Sequence, residues 1–240
     1  MARPAVGLAE RRLEGPPLNA SLTEVLVRLV DRTRSVHLLA TGERPWVDLV
    51  VALAAGGRRE VLGSIANGVG DIGYSHQVER AIEGLLRTGH VDELWDVLAA
   101  KLAEDPAFAI PLEHVMSQTS FRERLSVDRI MAWVGRDLGR GASVARLTSP
   151  DARTLDPLAH ALIELFGADS WPARAITARS GSTPGIDGSA RFYERQAENA
   201  AEWARSSQGE VARWASRLAA QFRERAEAER EEDELMQQIG

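Results

Sequence analysis

Ser189-Ala-Arg-Phe-Tyr-Glu-Arg-Gln-Ala-Glu-Asn-Ala-Ala-Glu-Trp-Ala-Arg-Ser206, followed by Gly209-Glu-Val-Ala-Arg-Trp-Ala-Ser-Arg-Leu-Ala-Ala-Gln-Phe222, is the stretch whose reading decides the fold class. Phe192, Tyr193, Ala197, Ala200, Trp203 and Ala204 recur at i, i+3/4, i+7/8 and i+11, and Val211, Trp214, Ala215, Leu218 and Phe222 repeat the pattern. Such spacing lays one apolar stripe along each helix, and a stripe must be covered. The short Ser206–Gly209 turn lets the two stripes cover each other. This predicts a helical hairpin, preceded by the Ser/Gly loop Arg179-Ser-Gly-Ser-Thr-Pro-Gly-Ile-Asp-Gly188.

The same grammar runs upstream. Ser21-Leu-Thr-Glu24, Ser120-Phe-Arg-Glu123 and Ser207-Gln-Gly-Glu210 have capping-box spacing, in which a Ser hydroxyl takes an orphan amide and the Glu reaches back. Helices are predicted at 21–33, 46–55, 58–66, 76–87, 91–103, 109–117, 120–138, 155–166, 189–206 and 209–236, with a short one at 170–178 anchored by Trp171 and capped by Asp169 or Ser170. Gly56-Gly57, Asn67–Ser75, Thr88-Gly89, Asp105-Pro106 and Gly139–Gly141 serve as connections. The brief apolar runs Val36–Leu39 and Val47–Leu53 are flanked by helical pattern and are not read as strands. Short helices recurring in pairs every roughly 35 to 45 residues suit an all-α, HEAT-like α-solenoid of stacked antiparallel pairs; an irregular all-α globule is the competing arrangement. The expected organisation is a flexible tail at 1–18, a helical stack at 19–178, a Ser/Gly loop at 179–188 and a closing hairpin at 189–240 with a charged, fraying end.

Composition narrows the function classes. The chain has 240 residues, 44% apolar and 27% charged, an ordinary folded composition. Six of its thirteen aromatics are Trp, and Trp46, Trp95, Trp133, Trp171, Trp203 and Trp214 are expected to anchor the inter-helix core. Cysteine is absent, which excludes disulfides and thiolate chemistry and favours the cytoplasm. No apolar run nears the roughly 20 residues of a membrane span, and the first residues lack the apolar stretch of a signal peptide. Asn19-Ala-Ser21 matches a glycosylation acceptor by chance. The net charge of −6 is concentrated in residues 223–235, which hold seven acidic groups against three Arg. Lys101 is the one lysine, and the arginines are dispersed without a basic stripe, which argues against nucleic acid.

Candidate chemistry is sparse. Gly68-Val-Gly70-Asp-Ile-Gly73, with Asp92 and Glu93 downstream, matches a dinucleotide fingerprint in letters. That motif needs a strand before its first Gly, whereas the preceding Arg59–Ala66 is helical in character, so an inter-helix loop is expected. A nucleotide-binding or small-molecule-binding enzyme domain centred on this loop is the alternative function. His37, His76, His90, His114 and His160 form no pair at metal-ligand spacing, so no metal site is predicted. Asp92, Glu93 and Asp96, like Glu79 and Glu83, read as wetted helix faces, with no second carboxylate placed to divide acid and base roles. The 180–189 loop lacks a nucleophile elbow. In the terminal run, Arg223/Glu227, Arg225/Glu229 and Arg230/Glu234 stand at i, i+4 as surface pairs, or as an acidic arm toward another subunit. No catalytic, cofactor or metal residue is assigned, no cofactor is expected, and the chain reads as a non-enzyme.

Phe166-Gly-Ala-Asp-Ser-Trp171, Ser180-Gly-Ser, Gly188-Ser, Phe192-Tyr-Glu-Arg-Gln196, Trp203, Val211-Ala-Arg-Trp-Ala215 and the closing Glu/Arg-rich helix together resemble the C-terminal HEAT-like region of large bacterial multidomain proteins of the antiphage-defence type. The likeness spans about 155–236 and extends more loosely to Phe108-Ala-Ile-Pro-Leu-Glu113 and Ile130-Met-Ala-Trp-Val134. It implies a module that binds a protein partner, senses a foreign protein or holds an effector or NTPase module in one state, with self-association open. The chain departs from such proteins in having no Walker-type Gly-x-x-x-x-Gly-Lys-Ser/Thr, which makes it a detached repeat domain or a fragment of a larger protein.

Overall fold

A computed structural model of the chain describes residues 24–25, 28–30, 44–70, 75–149, 154–181 and 189–239. All regular elements among the described residues are helical, including the apolar run at 47–53, and no strand occurs among them. The tail at 1–18, the run at 36–39, most of the helix expected at 21–33 and residues 182–188 of the Ser/Gly loop lie outside the described residues. The chain divides into two compact units, Met1–Ser126 and Val127–Gly240, a boundary that falls inside the segment read from sequence as one stack.

In the first unit α1 (Arg44–Ala55), α2 (Glu60–Gly68), α3 (Ser75–Arg87), α4 (Val91–Glu104), a 3-10 turn (Pro106–Phe108), α5 (Ala109–Gln118) and α6 (Phe121–Arg124) follow one another. The apolar stripes supply the core: Leu49 and Leu53 of α1, Ile82 and Leu85 of α3, and Trp95 and Leu98 of α4 are all buried. Burying such side chains at about 25 cal/mol per Å² is what holds short helices of modest intrinsic stability. Helices α1 and α3 approach closely because Gly84 has no side chain; a Cβ there would stand 2.5 Å from Val51 Cγ2. The capping box expected at Ser120 does not form, and Ser120 makes no side-chain cap. Its amide and hydroxyl instead donate to Glu83 of α3, at 2.5 and 3.2 Å. Glu83 is therefore a half-buried tie between α3 and α6, not part of a wetted face.

The second unit holds α7 (Val127–Val134), α8 (Leu138–Ala145), α9 (Pro157–Phe166), α10 (Trp171–Ser180), α11 (Ser189–Ser206) and α12 (Gly209–Ile239). The single helix predicted over 120–138 is broken. Leu125 is extended after α6, with ψ 121°, and Gly135 takes φ +56° after α7, a conformation open to Gly and costly for other residues. Asp137 then caps a new helix by accepting from the Gly139 and Arg140 amides at 2.8 and 3.0 Å. Gly139–Gly141, read from sequence as a connection, lies inside α8. At Gly141 the missing side chain admits Phe166 and Pro172, whose nearest atoms would sit 2.7 and 3.0 Å from a Cβ.

The closing hairpin forms as its stripes require. Trp203 and Trp214 stack with centroids 6.1 Å apart and planes 7° from parallel, and Tyr193 stacks on Phe222 at 6.0 Å. The stripe of α12 runs Val211, Trp214, Ala215, Leu218, Phe222 and stops at Ala226; residues 231–235 are all exposed. Trp46, Trp95, Trp203 and Trp214 are buried as anchors. Trp133 is half-buried beneath the Arg140 guanidinium, 5.0 Å from the ring centroid. Trp171 corrects the expectation: it is 57% exposed and is not a buried anchor of the core.

Candidate functional site

The most built polar arrangement in the second unit grows from the turn between α9 and α10. Helix α9 begins at a buried carboxylate, Asp156, which accepts from the Leu158 and Ser149 amides at 2.8 Å each. It ends where the Gly167 amide reaches the Ile163 carbonyl at 2.8 Å. Ser170, not Asp169, caps α10 through the Ala173 amide at 3.2 Å, and Pro172 occupies the first turn, where its missing N–H is harmless.

This frees Asp169 for α12. Glu210, Arg213 and Arg217 lie along one face of α12 at i, i+3 and i+7 and clamp the turn from one side. The Glu210 carboxylate accepts from the Ala168 amide at 2.8 Å, so Glu210 is spent here and not on a capping box with Ser207. Arg217 donates to Asp169 and, at 2.9 Å, to the Ala168 carbonyl, while Arg213 reaches Asp169 at 3.5 Å and Glu210 at 2.5 Å. The hydrogen bond from Arg217 holds the Asp169 carboxyl below its ordinary value, and the charges of Arg217, Arg213 and Arg174 add to the effect.

Beside the clamp opens a cleft of about 250 Å³ lined by Asp169, Arg174, Thr177, Trp214, Arg217 and Gln221, with Leu218 also in its wall. Trp214 and Leu218 are buried and make it apolar at the base. The Trp214 Nε1 donates to Thr177 Oγ1 at 2.9 Å, and that hydroxyl donates onward to the Ala173 carbonyl at 3.0 Å. Arg213 and Arg217 contact the Asp169 carboxylate, and Arg174 adds its charge at longer range; the Arg174 side chain is exposed and makes no side-chain hydrogen bond among the described residues. One turn back along α10 stands Trp171. An exposed indole, a cation with spare donors and an apolar base are what an acidic, partly apolar segment of a protein requires, because aromatic and Arg anchors carry most interface energy.

Helices α11 and α12 also bound a larger, shallower groove of about 540 Å³, with Ala197, Ala201 and Ala226 along it. At its rim Arg230 donates to Glu194, with Nε at 3.0 Å, and elsewhere on α12 Arg225 lies over Tyr193 at 5.4 Å. Both side chains thus turn from the i, i+4 partners expected along α12 toward α11, because the neighbouring helix offers a partner at closer range.

The other sequence candidates are scattered. Gly68 ends α2 and Gly70 abuts Pro111, so a helix, not a strand, delivers the glycine run; Gly73 lies outside the described residues. His76 pairs with Glu79 at 3.1 Å, His90 stands 4.0 Å from Glu93, and His160 stands 3.6 Å from Glu164. His114 is exposed and His37 is outside the described residues. Glu93 also meets Arg59 at 3.4 Å. No group of three His, Cys, Asp or Glu side chains placed to hold a metal occurs among the described residues. The Arg174, Arg213, Arg217 constellation escaped the sequence reading because its members are 39 and 4 residues apart and only the α10–α12 contact unites them. Compared with protein-family models, curated proteins and solved structures, the chain matches none.

Proposed function

We propose that the chain is a non-catalytic protein-recognition or scaffold module, a sensor or regulatory domain of HEAT-like helical repeats working in the cytoplasm. The single observation that carries this reading is Trp171, 57% exposed beside Arg174 and the arginine-lined cleft. Trp and Arg are the residue types enriched at interface centres, and here a half-exposed Trp stands one turn from an exposed Arg. The resemblance of 155–236 to the helical regions of bacterial defence proteins supports a protein as the ligand, with an effector or NTPase module or a foreign protein as the proposed partner.

The test is retention of a partner by the immobilised chain, from extracts of the source organism with and without phage infection, followed by calorimetry with the purified partner. The expected result is a partner bound by the native chain and lost with Trp171→Ala/Arg174→Glu. A partner that binds both equally overturns the assignment of the surface. A saturable stabilisation by nucleotides, with no protein retained, replaces the reading with the Gly68–Gly73 alternative.

A further inference from the structure

The same unit carries a second surface without cover, and its chemistry is the complement of the first. Beyond Ala226 the stripe of α12 buries nothing more through residue 235, yet the helix continues to Ile239. A helix end of this kind draws little stability from packing, and isolated turns are marginal in water. Its side chains are strongly biased: Glu227, Glu229, Glu231, Glu232, Asp233 and Glu234 against Arg230 alone. Leu235, 58% exposed, stands among them.

On a helix, Glu231, Glu234 and Leu235 share one face at i, i+3 and i+4. Trp171 and Arg174 share one face of α10 at i, i+3, with Arg217 across the cleft. The two faces therefore match in spacing as well as in sign: an apolar side chain one turn from a charge on each, opposite in charge. Placing Leu235 against the Trp171 ring sets Glu231 or Glu234 at the Arg174 guanidinium, a planar donor fork suited to a carboxylate. Within one chain α12 cannot perform this docking. Some ten residues separate Arg217 from Glu227 along a continuous helix, about 15 Å at 1.5 Å per residue, and the acidic end points away from the cleft. A second copy can.

We infer that the Trp171/Arg174 surface of one copy receives the acidic, Leu235-bearing end of α12 from another copy, in a head-to-tail contact. The inference rests on the recognition reading given above and names its occupant. Because the two surfaces differ, the contact is heterologous: each copy uses one surface as receiver and offers the other as donor, so assembly proceeds past the dimer unless a ring closes. A contact of this size, rich in exposed charge, is weak and sensitive to salt.

Sedimentation velocity on the full chain, between about 20 and 200 μM in about 25 mM and about 500 mM NaCl, tests this. At low salt the mean mass should rise with concentration beyond twice the monomer, and at high salt it should return to the monomer. Trp171→Ala/Arg174→Glu removes the receiver and Glu231→Arg/Glu234→Arg/Leu235→Ser removes the donor; each should weaken association ~30-fold or more. Mixed together, the two variants retain one intact contact and should form a 1:1 dimer that grows no further. All changes lie at exposed positions, and unaltered circular dichroism with a retained cooperative melt verifies the fold. A chain that stays monomeric throughout, association undiminished in either variant, or a mixture without dimers overturns the head-to-tail contact. The first outcome, combined with retention of a foreign partner lost with Trp171→Ala/Arg174→Glu, leaves the recognition reading standing alone.

Discussion

Trp214→Ala is the most informative perturbation of the second unit. The side chain is 3% exposed, stacked on Trp203 at 6.1 Å, and bonded through Nε1 to Thr177 Oγ1 at 2.9 Å. Burial of an indole removes about 200 Å² from water, about 5 kcal/mol at 25 cal/mol per Å², of which alanine keeps a minor share. The stack adds about 0.5 to 1.5 kcal/mol. Loss of the hydrogen bond adds little more, since Thr177 still donates to the Ala173 carbonyl and is not orphaned. A destabilisation of about 3 to 5 kcal/mol follows, a large share of the roughly 5 to 15 kcal/mol of a domain. In urea, with a slope near 2 kcal/mol per M, the midpoint of the second unit's transition should fall by about 2 M. Trp171→Ala, by contrast, should cost less than half as much, because that indole is already 57% exposed. Equal midpoints for native and Trp214→Ala chains, or a larger loss from Trp171→Ala, would refute the hairpin's role as the closing layer of this unit.

Gly84→Ala should destabilise the first unit by about 1 to 3 kcal/mol, measured by urea unfolding, because the new methyl meets Val51 Cγ2 at 2.5 Å; adding Val51→Ala should recover part of the loss. Glu83→Ala should lower the same transition by about 1.5 to 3 kcal/mol, leaving the Ser120 amide without its carboxylate, while Glu83→Gln should lose less. Asp169 should titrate below the usual carboxylate range when followed by carboxyl NMR, and Arg217→Ala should move the midpoint up toward the ordinary value. The sign of the linkage is that of a depressed acid: the Asp169 contribution is present above the unfolded value near 3.8 and is lost as pH falls through the lower folded value, so the clamp weakens only in strong acid.

Helix existence was legible wherever the apolar period was long. The hairpin at 189–206 and 209–236 was read within a few residues of α11 and α12 from stripes that recur over three or more turns. Breaks were harder. Gly135 and Asp137 are a stop signal and a cap two residues apart, yet the apolar pattern of Ile130, Val134 and Leu138 runs on across them and masks the punctuation. The candidate site was not legible as a site. Asp169 was read as a possible cap, and nothing in the local sequence separates that role from a long-range ion pair with Arg217.

The amino-acid sequence by itself determined an all-α chain, the placement of most helices, and the burial of Trp203 against Trp214, because these follow from spacing within one or two neighbouring segments. Only the tertiary structure decided that Glu83 ties α3 to α6, that Gly141 admits Phe166, that Arg213 and Arg217 meet at Asp169, and that Trp171 is more exposed than buried. The physical reason is the range of the interaction. Periodicity states that a helix has a face to bury, but which partner covers which part of that face depends on contacts between residues tens of positions apart. An indole left over when all faces have been paired is visible only after the pairing is done.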